Sequence, residues 1–123
     1  MAILEDARLH DLVGIFYSES AGDLVGLWEI AKEVESLVGV GDTARKQSLE
    51  IVRALLAKGL LAGDPPYDAG GYAPWPDQDP DKVINRMDRE WLKLGRTPNI
   101  PDIAWLGRPH RGAQGIGAAT TAR

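Results

Sequence analysis

Apolar residues recur every three or four positions in four parts of the chain, a spacing that places them on one face of a helix. The clearest part runs from Asp42 to Gly63, and its apolar stripe consists of Leu49, Val52, Leu55 and Leu56. Asp42 or Thr43 can cap the first turn, because a short oxygen-bearing side chain accepts hydrogen bonds from free backbone N–H groups. Gly59 is expected to end the helix after Lys58, and a strand is predicted to follow.

Two helices are predicted before this one. The first spans Leu4 to Tyr17, with an apolar face formed by Leu9, Leu12, Val13 and Phe16. A turn at residues 18–22 separates it from the second helix, which Asp23 is expected to cap and Gly39 to end. The apolar face of this second helix consists of Leu24, Leu27, Trp28, Ala31, Val34 and Val38.

A fourth helix is predicted from both of its ends. Asp79 can cap it, Pro80 suits its first position, and Gly95 ends it. Its buried stripe is expected to be Ile84, Met87, Trp91 and Leu94. The opposite face is almost purely basic and carries Lys82, Arg86, Arg89, Lys93 and Arg96.

The remaining segments are rich in glycine and proline. Residues 64–71 favour a turn, and Gly71 to Trp75 can return as a short edge strand, because the flanking prolines cannot donate to a ladder. Ile103, Trp105 and Leu106 are expected to return to the core. The predicted fold is therefore mainly α with a small β-hairpin, one domain over residues 1–106 and a flexible tail over 107–123.

The segment over residues 24–63 resembles a known family. Leu27-Trp28-Glu29-Ile30-Ala31, a glycine-bearing turn and the run from Ser48 to Leu61 look like the second helix, third helix and first wing strand of winged-helix domains. The resemblance implies a helix-turn-helix core whose third helix enters the DNA major groove. On this interpretation Arg45, Lys46 and Arg53 would contact DNA.

Composition excludes several kinds of site. The 123 residues contain no cysteine, which rules out disulfides, thiolate zinc sites and a cysteine nucleophile. No long apolar run could span a membrane, and the first residues lack the basic start and apolar centre of a signal peptide, so a cytoplasmic location is expected.

Catalytic and metal-binding patterns are also missing. The two histidines are His10 and His110, and the second falls in the predicted tail. Glu29 and Glu33 lie one turn apart and could form an acid/base pair, although a solvated helix face is the commoner explanation. Acidic residues around Asp79 fit a helix cap better than a calcium loop. The sequence therefore predicts no enzyme, no cofactor and no metal.

Charge is unevenly distributed. The net charge is −4, yet residues 1–42 carry −7 and residues 43–123 carry +3. This asymmetry indicates either a basic surface for a partner or two halves that pack on each other. The basic stripe of the fourth helix could contact anions, face solvent, or pair with Glu29 and Glu33 within the fold or across a homodimer. Glu50 between Lys46 and Arg53, with a pI near 5.1, disfavours DNA.

Aromatic residues in the glycine- and proline-rich loop add a second candidate surface. Tyr67, Tyr72 and Trp75 can anchor a partner if they are exposed, or the loop can pack back on the domain. The leading prediction is a non-enzymatic cytoplasmic protein-binding module, of immunity or adaptor type, that uses this loop and the basic stripe. The alternative is a winged-helix DNA-binding transcriptional regulator.

Overall fold

The computed structural model describes residues 3–66 and 72–109, which form four helices and a four-stranded sheet. In chain order the elements are α1 (Asp6–Glu19), β1 (Val25–Gly26), α2 (Leu27–Val38), α3 (Asp42–Ala57), β2 (Leu61–Asp64), β3 (Ala73–Pro74), α4 (Pro80–Leu94) and β4 (Trp105–Gly107). The predicted class, mainly α with a small antiparallel β part, is confirmed. No helix in the described ranges is long and apolar enough to cross a membrane.

Helix α3 lies at the centre of the helical layer and contacts α1, α2 and α4. Its buried apolar side chains are Ala44, Leu49, Ile51, Val52 and Leu55. Full burial of an aliphatic side chain contributes roughly 1.5 to 3 kcal/mol, so this helix organises the core. The sequence pattern correctly predicts its position as the structural centre.

Helix ends agree with the prediction at α4 but only in part at α3. The Asp79 carboxylate accepts a hydrogen bond from the backbone N–H of Lys82 at 3.2 Å, and Gly95 ends α4 in the left-handed region. Helix α3 ends as expected before Gly59, whose φ is +103°. At its start, however, the capping residue is Gly41, which has no side chain, and the predicted caps Asp42 and Thr43 both lie inside the helix.

The second helix begins later than predicted. Asp23 does not cap it; its carboxylate accepts a hydrogen bond from the N–H of Leu24, and the chain then runs extended through β1. Gly26 precedes α2, and the Glu29 side chain accepts a hydrogen bond from its N–H at 3.0 Å. Val25 and Gly26 pair with β4, so they form strand hydrogen bonds instead of the first turn of a longer helix. This pairing explains why α2 starts later than predicted.

All neighbouring strands are antiparallel, in the order β1-β4-β2-β3. Strand β4 inserts between β1 and β2, so Leu106 is paired with both Val25 and Ala62. Gly107, the first residue of the predicted tail, belongs to this strand. Arg108 then donates hydrogen bonds to Ser20 Oγ and Tyr17 O at 2.9 and 2.8 Å. The packed chain thus extends beyond 106, and residues 110–123 lie outside the described ranges.

The predicted hairpin is present, and its returning strand is shorter than the predicted stretch from Gly71 to Trp75. Gly63 pairs with Pro74, and a Cβ at Gly63 would lie 2.6 Å from the carbonyl oxygen of Ala73, so only glycine fits this approach. The Gln78 amide supports β2 by hydrogen bonding to both backbone groups of Ala62. Helices α2 and α3 and strand β2 follow one another as the winged-helix resemblance implies, and membership in that family stays a prediction.

Candidate functional site

Helix α4 separates apolar and basic side chains on two faces. Val83, Met87 and Trp91 are buried against the core, while Ile84 and Leu94, also predicted to be buried, are only partly so. The predicted basic residues lie away from this buried face, with Lys82, Arg89, Lys93 and Arg96 exposed and Arg86 half-buried. The amphipathic pattern of this helix is therefore observed, with Val83 as an additional core residue.

Three of the five basic side chains have carboxylate partners. Lys82 Nζ lies 3.3 Å from Asp77 Oδ2, Arg86 Nε 2.9 Å from Glu90 Oε2, and Arg96 Nη1 2.8 Å from Asp102 Oδ2. A hydrogen bond from the Asn99 N–H, with a further one from Arg96, holds the pKa of Asp102 below its ordinary value. Asp77 has a lowered pKa for similar reasons, first the Asp79 N–H and then Lys82. These cations help to hold the domain's own loops.

Arg89 and Lys93 differ from the other three. Both are exposed, and neither forms a hydrogen bond or ion pair with another residue in the described ranges. Leu92 lies between them and is 56% exposed. Arg89, Leu92 and Lys93 occupy positions i, i+3 and i+4, which share one helix face, and Arg96 follows just after the helix has ended at Leu94. We call Arg89, Leu92, Lys93 and Arg96 the α4 docking face.

A shallow cavity of about 210 Å³ adjoins this face at the turn between α2 and α3. Val40 and Leu92 line it together with Trp91, and Val40 is 80% exposed. Two carboxylates at its edge already have partners: Glu35 accepts a hydrogen bond from Thr97 Oγ1 at 2.6 Å, and Asp42 pairs with Arg45. The cations that line the cavity, Arg45 and Arg96, are also paired, and Leu92 joins the cavity to the helix face that carries Arg89 and Lys93.

The predicted aromatic surface is largely internal. Trp75 is only 5% exposed; its Nε1 donates to Asp64 Oδ1 at 2.9 Å, and its ring lies 3.6 Å from the Arg86 guanidinium. Tyr72 donates its hydroxyl hydrogen to Leu61 O at 2.7 Å, and burial raises its pKa to about 12. Tyr67 lies outside the described residues. The loop and the basic stripe thus meet where the Trp75 ring contacts Arg86, and this contact lies within the domain.

The predicted DNA-contacting residues face α4. Arg45 Nε is 2.8 Å from Asp88 Oδ1, and Arg53 Nη1 is 2.8 Å from Asp81 Oδ1. The hydrogen bond with Asp88 is the main reason that the pKa of Arg45 is raised. Lys46 is exposed and forms no ion pair in the part of the chain that the structure describes. Two of these three cations are therefore neutralised by carboxylates of α4.

Sequence reasoning missed these two carboxylates because they lie far from their partners along the chain. Asp81 and Asp88 are seven positions apart and therefore lie on the same edge of α4, the edge that packs beside α3. The spacing could have indicated one acidic helix edge. It could not have indicated which helix would contact that edge.

The predicted pairing of α2 carboxylates with the basic stripe is not observed in the described ranges. Glu29 instead accepts the hydrogen bond from Gly26, and burial raises its pKa above the ordinary value. Glu33 is exposed and makes no ion pair among the residues described. Within residues 3–66 and 72–109, no group of three or more histidine and acidic side chains is arranged to hold a metal ion.

Comparison with known proteins gives no match to a family model, to a curated protein or to a solved structure. The function of the chain must therefore be inferred from the surface of the chain itself. Its most distinctive surface is the α4 docking face with the adjoining cavity.

Proposed function

We propose that this chain is a non-enzymatic protein-binding module whose α4 docking face contacts an acidic segment of another protein. The observation that carries the proposal is the exposure of Arg89 and Lys93 without partners in the described ranges, on the same helix face as the exposed Leu92. An adaptor or immunity role in the cytoplasm is part of the proposal and is based on the sequence alone.

The surface has the two properties that protein recognition needs. Cations at its rim attract and orient an acidic partner, which raises the association rate and excludes partners of the wrong charge. Leu92 and Val40 supply apolar area at its centre, where water is removed on contact. The expected occupant is therefore an acidic segment that carries at least one apolar side chain.

Arg89 and Lys93 can also bind a partner at a lower energetic cost than the paired cations of α3. A partner carboxylate can bind them without first breaking an ion pair of the domain, whereas Arg45 would have to leave both Asp42 and Asp88. The separation of a half-buried ion pair leaves an uncompensated charge, which is costly. This difference favours the α4 docking face over α3.

DNA binding through α3 is the competing function. It would use Arg45, Lys46 and Arg53, but two of these three are paired with carboxylates of α4 that a phosphate backbone would repel. Lys46 alone would supply little counterion release. We therefore rank DNA binding below protein binding.

The test compares two matched pairs of charge reversals in the full chain. Arg89→Glu with Lys93→Glu alters the α4 docking face, and Lys46→Glu with Arg53→Glu is the control on α3. A partner is isolated with the wild-type chain from native lysate, purified, and titrated against all three proteins by calorimetry. The α4 variant is expected to bind at least about tenfold more weakly, a loss of about 1.4 kcal/mol, and the control within about twofold.

Equal affinity of the α4 variant and the wild type would contradict the proposal. A gel shift on genomic fragments at low and high salt tests the competing function in parallel. Salt-sensitive, specific DNA binding that the α3 variant loses and the α4 variant keeps would replace protein binding with DNA binding.

A further inference from the structure

A second surface has the opposite charge and lies between α1 and α2. It is a groove of about 530 Å³ with an apolar floor that includes Leu12, Phe16 and Trp28. Its rim carries the carboxylates of Glu19, Glu29 and Glu33, with Lys32 as the single cation. No residue of α4 lines it. We call this surface the acidic groove.

The groove is open and its outer carboxylates are unpaired. Glu19 and Glu33 are exposed and form no ion pair with any residue in the described ranges. Ile15 borders the groove and is 53% exposed. A site with an apolar floor and a few charged groups at its rim fits an apolar side chain that is surrounded by cations.

The α4 docking face has that composition. Leu92 is an exposed apolar side chain of this face, and Arg89, Lys93 and Arg96 are exposed cations close to it in the chain. Within one chain no ion pair joins this face to the acidic groove among the residues described. The two surfaces carry complementary charge, and each has one exposed aliphatic residue, Ile15 at the groove and Leu92 on α4.

We infer that the acidic groove of one copy binds the α4 docking face of a second copy. The inference rests on the proposed function because it uses the same face of α4. The two contacting surfaces are different, so the interface is heterologous, and repetition of such an interface gives open head-to-tail chains unless its rotation closes a ring. Self-association then occupies the face that an acidic partner needs, and the partner and a second copy compete.

Sedimentation velocity of the full chain over a range of concentrations tests the inference. At low ionic strength the average mass is expected to rise with concentration. At roughly 0.5 M salt it is expected to fall back towards the monomer, because the Debye length shrinks to a few ångströms and exposed charges are screened.

Two neutralised variants establish which surfaces meet. The groove variant carries Glu19→Gln and Glu33→Gln, and the face variant carries Arg89→Gln and Lys93→Gln. Glu29 is left unchanged because it caps the start of α2. Each variant alone is expected to stay monomeric, because each retains only one working surface.

An equimolar mixture of the two variants gives the decisive result. The groove variant keeps an intact α4 docking face and the face variant keeps an intact acidic groove, so the mixture is expected to form a one-to-one dimer and nothing larger. Unchanged thermal melting of both variants shows that each is folded. A monomeric wild type at every concentration, or self-association that either variant retains, would overturn the inference.

The failure of self-association can be told apart from the failure of the proposed function. If the wild type is monomeric while the purified partner still binds the wild type and loses affinity for the Arg89→Glu/Lys93→Glu protein, only the second-copy inference fails. If self-association is observed and no acidic partner depends on α4, the α4 docking face serves assembly alone and the proposed function fails.

Discussion

Helices α3 and α4 both carry basic side chains, but of Arg45, Lys46 and Arg53 on α3 only Lys46 has no ion pair among the described residues, whereas α4 leaves both Arg89 and Lys93 without one. On α3, Arg45 and Arg53 are met by carboxylates from α4 at 2.8 Å. On α4, Arg89 and Lys93 meet no counter-charge among the residues described. A basic pattern therefore indicates a docking surface only where packing does not already supply the acids.

Helix α4 has three sides, and each makes a different kind of contact. Its edge beside α3 carries Asp81 and Asp88, which pair with α3, while its outer face carries Arg89 and Lys93. Its third face, with Met87 at 0% exposure, packs in the core. One helix thus holds the fold together with two sides and leaves one for contact, and substitutions on the different sides are expected to have different consequences.

The largest effect is expected from truncation on the buried side. Met87→Ala removes a fully buried side chain and should reduce the free energy of unfolding by about 2 to 5 kcal/mol, since both burial and packing are lost. Leu92→Ala on the docking face is the matched control and should change stability by less than about 0.5 kcal/mol. Urea denaturation of both variants measures the difference; similar losses for both would contradict the assigned sides of α4.

A medium effect is expected from the ion pairs that join the two helices. The Arg45 side chain is only 12% exposed, so its pair with Asp88 is shielded, while Arg53 is about half exposed and Asp81 largely exposed. Double-mutant cycles with Arg45→Met and Asp88→Asn should give a coupling of about 1 kcal/mol, against less than about 0.5 kcal/mol for Arg53→Met and Asp81→Asn. Equal couplings would show that burial does not distinguish the two pairs.

The smallest effect concerns pH and the loop after α4. The pKa of Asp102 is lowered in the fold by the Asn99 N–H and by Arg96, so this carboxylate contributes stability above its ordinary pKa of about 4. That contribution is lost as the pH falls through the lowered folded value. Asp102→Asn should therefore destabilise by less than about 1 kcal/mol at pH 7, and the difference from the wild type should vanish in strong acid. A difference that persists unchanged at low pH would contradict this.

Local sequence features were sufficient to predict the strongest helices. Asp79, Pro80 and Gly95 define α4 within the sequence itself, and the apolar spacing around Leu55 defines the centre of α3. Each of these features acts over a few residues, through a cap, a turn or one helix face. Such features can be seen before any tertiary contact is known.

Features that depend on distant partners could not be predicted in the same way. Strand β4 has only three residues and no readable period, and it exists because β1 and β2 flank it. Trp75 lies between two prolines and resembles an exposed anchor, yet its backbone N–H donates to Ala62 O and its ring lies against the Arg86 guanidinium. The pairing of Arg45 with Asp88 spans 43 positions, so the neutralisation of α3 could not be seen in its own sequence.

One measurement tests the comparison between the helices most directly. The full chain, labelled for backbone amide NMR, is titrated with a short glutamate-rich peptide that contains a single leucine. We expect shifts that concentrate at Val40 and at residues 89–96, with little change at Lys46 and Arg53, which do not line the cavity beside Leu92. Shifts that concentrate instead at Lys46 and Arg53, with residues 89–96 unchanged, would contradict the claim that Arg89 and Lys93 are the cations that bind an acidic partner.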